Sequence, residues 1–78
     1  LEEVYVLKEI NILDSGEKEF FVDVYHSLLA AENDLEMQIL ERISDYQARI
    51  EWRDGNEVKL VDQEKNIYLF DIQYKVIR

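Results

Sequence analysis

The sequence predicts an α+β domain, an antiparallel sheet with one long helix packed on it, in the order ββαβββ. Three observations carry that expectation. A single 3.6-residue apolar period runs through the middle of the chain, stretches of strict two-residue alternation flank it, and glycine-bearing turn signals separate the alternating stretches. The chain has 78 residues, two Gly and no Pro. Its length makes one domain, residues 1–78.

The first stretch, residues 4–13, places Val4, Val6, Ile10 and Ile12 on one face, broken only by Lys8. This is a strand by period and by β-branched content. Asp14-Ser15-Gly16 then offers a type I turn with Gly ready for the left-handed position. Residues 19–26 put Phe20, Val22 and Val24 on one side, which the alternation assigns to the interior. These two strands read as a hairpin.

Ser27 is the expected helix N-cap. Beyond it Leu28, Ala31, Leu35, Ile39, Ile43 and Tyr46 recur at an average spacing of 3.6 residues. Asn33-Asp34 is a soft spot, and Asn33 with Glu36 matches a capping box. The alternative order βααβββ follows from a break there, with residues 17–32 as a first helix and 35–47 as a second. The strand-forming run Phe-Phe-Val-Asp-Val-Tyr favours the hairpin.

The last third reads as a three-stranded meander. Ile50 and Trp52 lead into Asp54-Gly55, read as a two-residue type I′ turn. Val58 and Leu60 continue, and residues 63–66 form the next turn. Tyr68, Phe70, Ile72, Tyr74 and Val76 then alternate inward against outward Asp71, Gln73 and Lys75. Trp52 is expected to anchor the core of this meander.

Net charge is −9, and it is unevenly placed. Residues 9–41 hold nine acids and one base, while residues 42–78 hold seven of each. Such a field repels nucleic acid and anionic membranes and attracts basic surfaces. No direct nucleic-acid binding and no membrane association are therefore expected. Arg42, Arg49 and Arg53 beside Trp52 are offset by Asp45, Glu51 and Asp54, and read as ordinary pairs on a solvated surface.

The residue inventory leaves little room for chemistry. There is no Cys and only one His, which removes disulfides, thiolate metal sites and cysteine nucleophiles. Glu32, Asp34 and Glu36 resemble alternating calcium ligands, but position six of such a loop falls on Met37 where Gly is required. Gly16 and Gly55 stand alone, so no phosphate-binding loop is present. His26, at the inward end of the second strand, reads as a partly buried histidine bonded to a backbone carbonyl. The expectation is no enzyme, no metal and no cofactor. Absence of Cys points to a reducing compartment, hence the cytoplasm.

One feature of the hairpin is unusual. Its expected outer face carries Tyr5, Leu7, Phe21 and Tyr25 mixed with Glu9, Glu19 and Asp23. An aromatic, acidic face of that kind needs cover from the meander, from another protein or from a second copy. The functional expectation is a small acidic protein-binding or inhibitor-type domain that masks a basic, nucleic-acid-binding surface of a partner, as phage and mobile-element DNA mimics do. Tyr5, Glu9, Glu19, Phe21, Asp23, Tyr25, Glu32 and Glu36 are the expected contact residues. The alternative is a homo-oligomerising scaffold domain, the partner being a second copy of the chain.

Overall fold

A computed structural model describes all residues from 1 to 78. The element order is β1 (Glu2–Ile12), β2 (Lys18–Tyr25), α1 (Leu28–Tyr46), β3 (Arg49–Asp54), β4 (Glu57–Val61) and β5 (Ile67–Ile77). All five strands form one antiparallel sheet in the order β2-β1-β5-β4-β3. The hairpin and the meander are thus joined by pairing of the two long strands, β1 and β5, along eleven residues from Glu2↔Ile77 to Ile12↔Ile67.

Helix α1 forms where the 3.6-residue period lies. Ser27 sits in an extended conformation and its hydroxyl accepts from the Ala30 N–H at 3.1 Å, satisfying one of the free donors of the first turn. The helix runs through Asn33-Asp34 without a break, so the two-helix alternative does not arise. It stops at Gln47, which adopts the left-handed conformation at φ 55°, and the Arg42 carbonyl accepts a backbone N–H at this cap. Ala31, Leu35 and Ile39 point down onto the sheet and are buried, while Leu28, Ile43 and Tyr46, from the same stripe, are half out. Full burial of a side chain such as Leu35 is worth about 1.5–3 kcal/mol.

Register decides which sheet face the helix covers. Tyr68, Phe70 and Ile72 of β5 lie opposite Asn11, Glu9 and Leu7 of β1, and Leu60 and Val58 of β4 lie opposite Tyr68 and Phe70. Leu7, Leu35, Ile39, Ala48, Val58, Leu60, Tyr68 and Phe70 make the continuous core, with Tyr25 and Ile72 packed on its margin. The face of the hairpin expected to point outward is therefore the one beneath the helix. The face expected to be inward, with Ile10, Phe20, Val22 and Val24, carries no helix, and only Val4 on it is buried. Alternation alone favoured the face richer in β-branched residues. Pairing with β5, whose aromatic face needs cover, overrides it.

Three smaller expectations are corrected in the same way. Trp52 pairs with Lys59 on the uncovered face and is half exposed, so it anchors no core. His26 lies past the end of β2, largely exposed, with Nδ1 3.3 Å from Glu2 Oε1 instead of bonded to a backbone carbonyl. The β3–β4 turn is centred on Gly55-Asn56, one residue later than read, because Asp54 and Glu57 still pair. Gly55 has φ 60° and Asn56 does not have positive φ, which is the pattern of a type II′ turn.

Candidate functional site

Between the C-terminal half of α1, the β1–β2 hairpin and the β4–β5 turn lies an open cleft of about 810 Å³. Its floor is the helix-facing side of β1 and β2, where Asn11 lies opposite Glu19, Glu9 opposite Phe21 and Leu7 opposite Asp23. One wall is α1, through Gln38, Glu41, Arg42 and Asp45, and the far end is closed by Asp62, Glu64 and Asn66. Seven carboxylates line the cleft against one guanidinium, that of Arg42.

Arg42 is not free. Its Nη2 lies 2.7 Å from Glu9 Oε2, and both side chains are nearly buried. The guanidinium carbon stands 5.5 Å from the Tyr68 ring centre and 5.9 Å from those of Tyr46 and Phe70. The cation is thus held between a carboxylate and aromatic faces, a favourable setting for guanidinium. A buried pair of this kind does not by itself add much stability, yet it fixes the helix to the sheet at one place.

Asp62 closes the end of the cleft as a hydrogen-bond hub. Its Oδ1 accepts from the N–H groups of Glu64 (2.8 Å) and Asn66 (2.9 Å), and its Oδ2 from Asn66 Nδ2 (3.0 Å) and the Tyr68 hydroxyl (2.8 Å). Burial alone pushes its pKa up, but the four donors together outweigh it and hold the carboxyl below its ordinary value. Tyr68 is driven upward, first by burial and then by its bond to Asp62. Asn66 in turn accepts from the Asp14 N–H at 3.0 Å, tying the β4–β5 turn to the β1–β2 turn.

With Arg42 and Asp62 committed, the remaining polar groups stand out. No hydrogen bond or ion pair within the chain engages the carboxylates of Glu19, Asp23 or Asp45. Asn11 is 7% exposed, and its Oδ1 is the one buried side-chain polar atom without a partner. Tyr68, its neighbour across the strand pair, gives its hydroxyl to Asp62.

Of the expected contact residues, the structure brings Glu9, Glu19, Phe21 and Asp23 together in this cleft. Glu9 faces it as a buried, paired group, whereas Glu19, Phe21 and Asp23 are exposed along β2. The other four lie elsewhere. Tyr5 packs against Tyr74 in a tilted arrangement, with ring centres 5.4 Å apart. Tyr25 donates its hydroxyl to Asp34 on the helix. Glu32 accepts from Asn56 Nδ2 at 2.9 Å, and Glu36 pairs with Arg53, both on the flank of α1 that faces the meander. The sequence pattern places Arg42 on a solvated surface, whereas it is nearly buried against Glu9, and no local signal marks Asn11. Strand alternation with Glu9 places Asn11 on the acidic face, but its lack of a partner depends on the register with β5.

No three Asp, Glu or His side chains come close enough together to hold a metal ion. No helix is long and apolar enough to cross a membrane. The fold and site define a two-layer α+β domain with one acidic cleft between helix and hairpin. Comparison with protein-family models, with curated proteins and with solved structures gave no match.

Proposed function

We propose that this chain is a small acidic protein-binding domain of inhibitor type, which masks a basic, nucleic-acid-binding surface of a partner protein. The observation that carries the reading is the row Glu19, Phe21, Asp23. These are two unpaired carboxylates flanking an exposed aromatic ring on the edge strand β2, at the mouth of a cleft already rich in acid. Aromatic anchors within a charged rim are where interfaces concentrate their binding energy. Exposed charge of one sign speeds encounter with a basic surface and makes binding salt-sensitive. The contact surface is narrower than the one read from sequence, because Glu32, Glu36 and Tyr25 are engaged within the chain.

The test is affinity capture from lysate with elution by a salt gradient, run in parallel on the parent chain and two variants. The expected result is capture of a basic protein that elutes at moderate salt. It is lost with Glu19→Gln/Asp23→Asn/Phe21→Ala and kept with Glu32→Gln. Capture that is indifferent to salt or to the triple substitution rejects the reading.

A second reading, self-association, is favoured by a different observation. Phe20, Val22 and Val24 project from the same edge strand on the uncovered sheet face and are 55–66% exposed. Two copies stacked through that face would be expected to separate on Val22→Lys. Light scattering that finds a monomer at high concentration removes this reading.

A further inference from the structure

We propose that two copies of this chain join edge to edge, strand β2 antiparallel to its counterpart about a two-fold axis at Val22, so that the two sheets run on as one. The inference rests on the second reading above, self-association, and moves the contact from the open sheet face to the strand edge.

The first observation is which backbone groups β2 leaves free. The Leu13 N–H donates to the Glu17 carbonyl at 2.8 Å, and the same register continues as Asn11↔Glu19, Glu9↔Phe21, Leu7↔Asp23 and Tyr5↔Tyr25. Opposed residues of an antiparallel pair are alternately hydrogen-bonded and not. Glu19, Phe21, Asp23 and Tyr25 therefore direct their N–H and C=O groups to β1, and Lys18, Phe20, Val22 and Val24 direct theirs away from it. Strand β2 ends the sheet and is exposed along almost its whole length, so those outward groups have no partner strand in the chain.

The second is the contrast between the two edges. Strand β3, at the other end of the sheet, has six residues, four of them the charged Arg49, Glu51, Arg53 and Asp54, and a register shift interrupts it between Ile50 and Trp52. Short, charged, bulged strands block pairing with another chain. Strand β2 has eight residues in unbroken register and consists mainly of the strand-forming run Phe-Phe-Val-Asp-Val-Tyr. One edge is guarded and the other is open.

The third observation selects a second copy as the occupant. A two-fold axis normal to the sheet fixes which residues oppose each other. An axis at Phe20 sets Glu17 opposite Asp23, one at Phe21 sets Glu19 opposite Asp23, and one at Asp23 sets that residue opposite itself. Like charges directly opposed are destabilising. The axis at Val22 opposes none. Val22 meets Val22, Phe20 meets Val24, Phe21 meets Asp23 and Glu19 meets Tyr25, and the outward backbone groups of Phe20, Val22 and Val24 bond across the axis. At each end Lys18 comes opposite His26, whose Nδ1 is 3.3 Å from Glu2 Oε1, so an ammonium approaches a carboxylate on both sides. The two Asp23 side chains fall on the diagonal, roughly 7–8 Å apart, where exposed charges repel weakly. A seam one strand long is small beside the roughly 800 Å² per partner of a stable interface, which makes the dimer a transient one.

The experiment is amide hydrogen exchange by NMR on the whole chain at low and high concentration, with sedimentation equilibrium alongside. The expected result is a concentration-dependent dimer in which the amides of Phe20, Val22 and Val24 gain at least about tenfold in protection. Those of Phe21 and Asp23, already bonded to β1, should not change. Val22→Pro removes an N–H that points away from β1 and should abolish the dimer. Val22→Cys exchanges one small apolar side chain for another and gives a chain without cysteine a single thiol. It keeps the test intact even if Val22→Pro does not fold. Opposed bonded residues have Cα atoms about 5.5 Å apart, within disulfide range, so mild oxidation should cross-link this variant at least about tenfold faster than Trp52→Cys. A monomer at every concentration overturns both this inference and the self-association reading. A dimer that leaves the three amides unprotected, or that survives Val22→Pro and separates on Trp52→Lys, overturns this inference alone and returns the contact to the open face. Protection of the same amides only after a captured partner protein is added gives the edge to that protein and overturns the second copy.

Discussion

The Tyr68 hydroxyl donates to Asp62 Oδ2 at 2.8 Å across the β4–β5 turn, and both groups are buried. This bond joins the turn to the core, since the Tyr68 ring also lies against the Arg42 guanidinium. Tyr68→Phe keeps the ring and removes one of four donors to a buried carboxylate. A hydrogen bond to a charged group is worth about 1.5–3 kcal/mol. Urea unfolding should show the midpoint lowered accordingly with an unchanged slope. A change within error would mean that the remaining three donors satisfy Asp62 by themselves.

The same carboxylate sets an acid limit on stability. Its pKa in the folded chain lies below its ordinary value, so the unfolded chain binds the proton more readily. The associated stability is complete above the unfolded pKa, near 3.9. It is lost as pH falls through the lower, folded value. Thermal melts between pH 6 and pH 2.5 should therefore show Tm dropping as the pH passes below about 4. Asp62→Asn should start lower and have a flatter acid limb. If the variant keeps the parent's acid limb, the pH dependence comes from other carboxylates, of which Glu36, lowered by Arg53, is the next to test.

At the alkaline end Tyr68 and Tyr74 are raised above their ordinary values, and so is Tyr25. Its hydrogen bond to Asp34 is the largest cause, with burial and the nearby charges of Asp34 and Asp23 adding to it, and its pKa is pushed up to about 12. A raised pKa in the folded state contributes stability that is present below the unfolded value of about 10 and lost as pH rises through the folded one. Ultraviolet titration should find a tyrosine ionising well after the exposed ones. Tyr25→Phe should flatten the loss of stability between pH 10 and about 12. All tyrosines titrating together near 10 in the folded chain would contradict this.

How far the sequence carries the fold is seen by comparing α1 with β1. The helix is legible because its period, its Ser27 cap and its burial against one face are local properties, and Leu35 and Ile39 land where the spacing puts them. Strand β1 is different, since both of its faces are apolar enough to be buried. The choice between Val6/Ile10 and Leu7/Glu9 is made by pairing with β5, some sixty residues away, where Phe70 stands opposite Glu9. No local pattern contains that register. The acidic row on β2 was visible for the same reason as the helix, being a matter of alternation. The fates of Glu32 and Glu36 were not, because Asn56 and Arg53 reach them only after the meander folds against the helix flank. Glu9 is the mixed case: alternation puts its charge on the surface for a partner, and its partner is Arg42 of the same chain.

That pairing makes an asymmetric prediction. Arg42→Met leaves the Glu9 carboxylate buried without its cation and should cost about 3–5 kcal/mol. Glu9→Leu alone strands the guanidinium, though the rings of Tyr46, Tyr68 and Phe70 still face it, so the loss should be smaller. The double variant removes both charges from a site lined by Leu7, Phe70 and the helix, and should recover most of the stability lost in Arg42→Met. A double-mutant cycle by denaturant unfolding measures the coupling directly. Additive effects would show that the two side chains do not stabilise each other.

The helix terminus offers the opposite kind of change, one expected to stabilise. Gln47 holds φ 55° at the end of α1, where its Cβ crowds the backbone and glycine is the residue of choice. The left-handed conformation costs a side-chain-bearing residue roughly 1–2 kcal/mol, part of which glycine gives back through its greater freedom when unfolded. Gln47→Gly should accordingly raise stability by about 0.5–1 kcal/mol. For a domain of this size that is a rise of roughly 2–8 °C in Tm. The helix should still end at the same place, because Ala48 beyond it is buried and its N–H already bonds to the Arg42 carbonyl at 3.1 Å. A lowered Tm would mean that the Gln47 side chain makes a contribution at the cleft rim that outweighs the backbone strain.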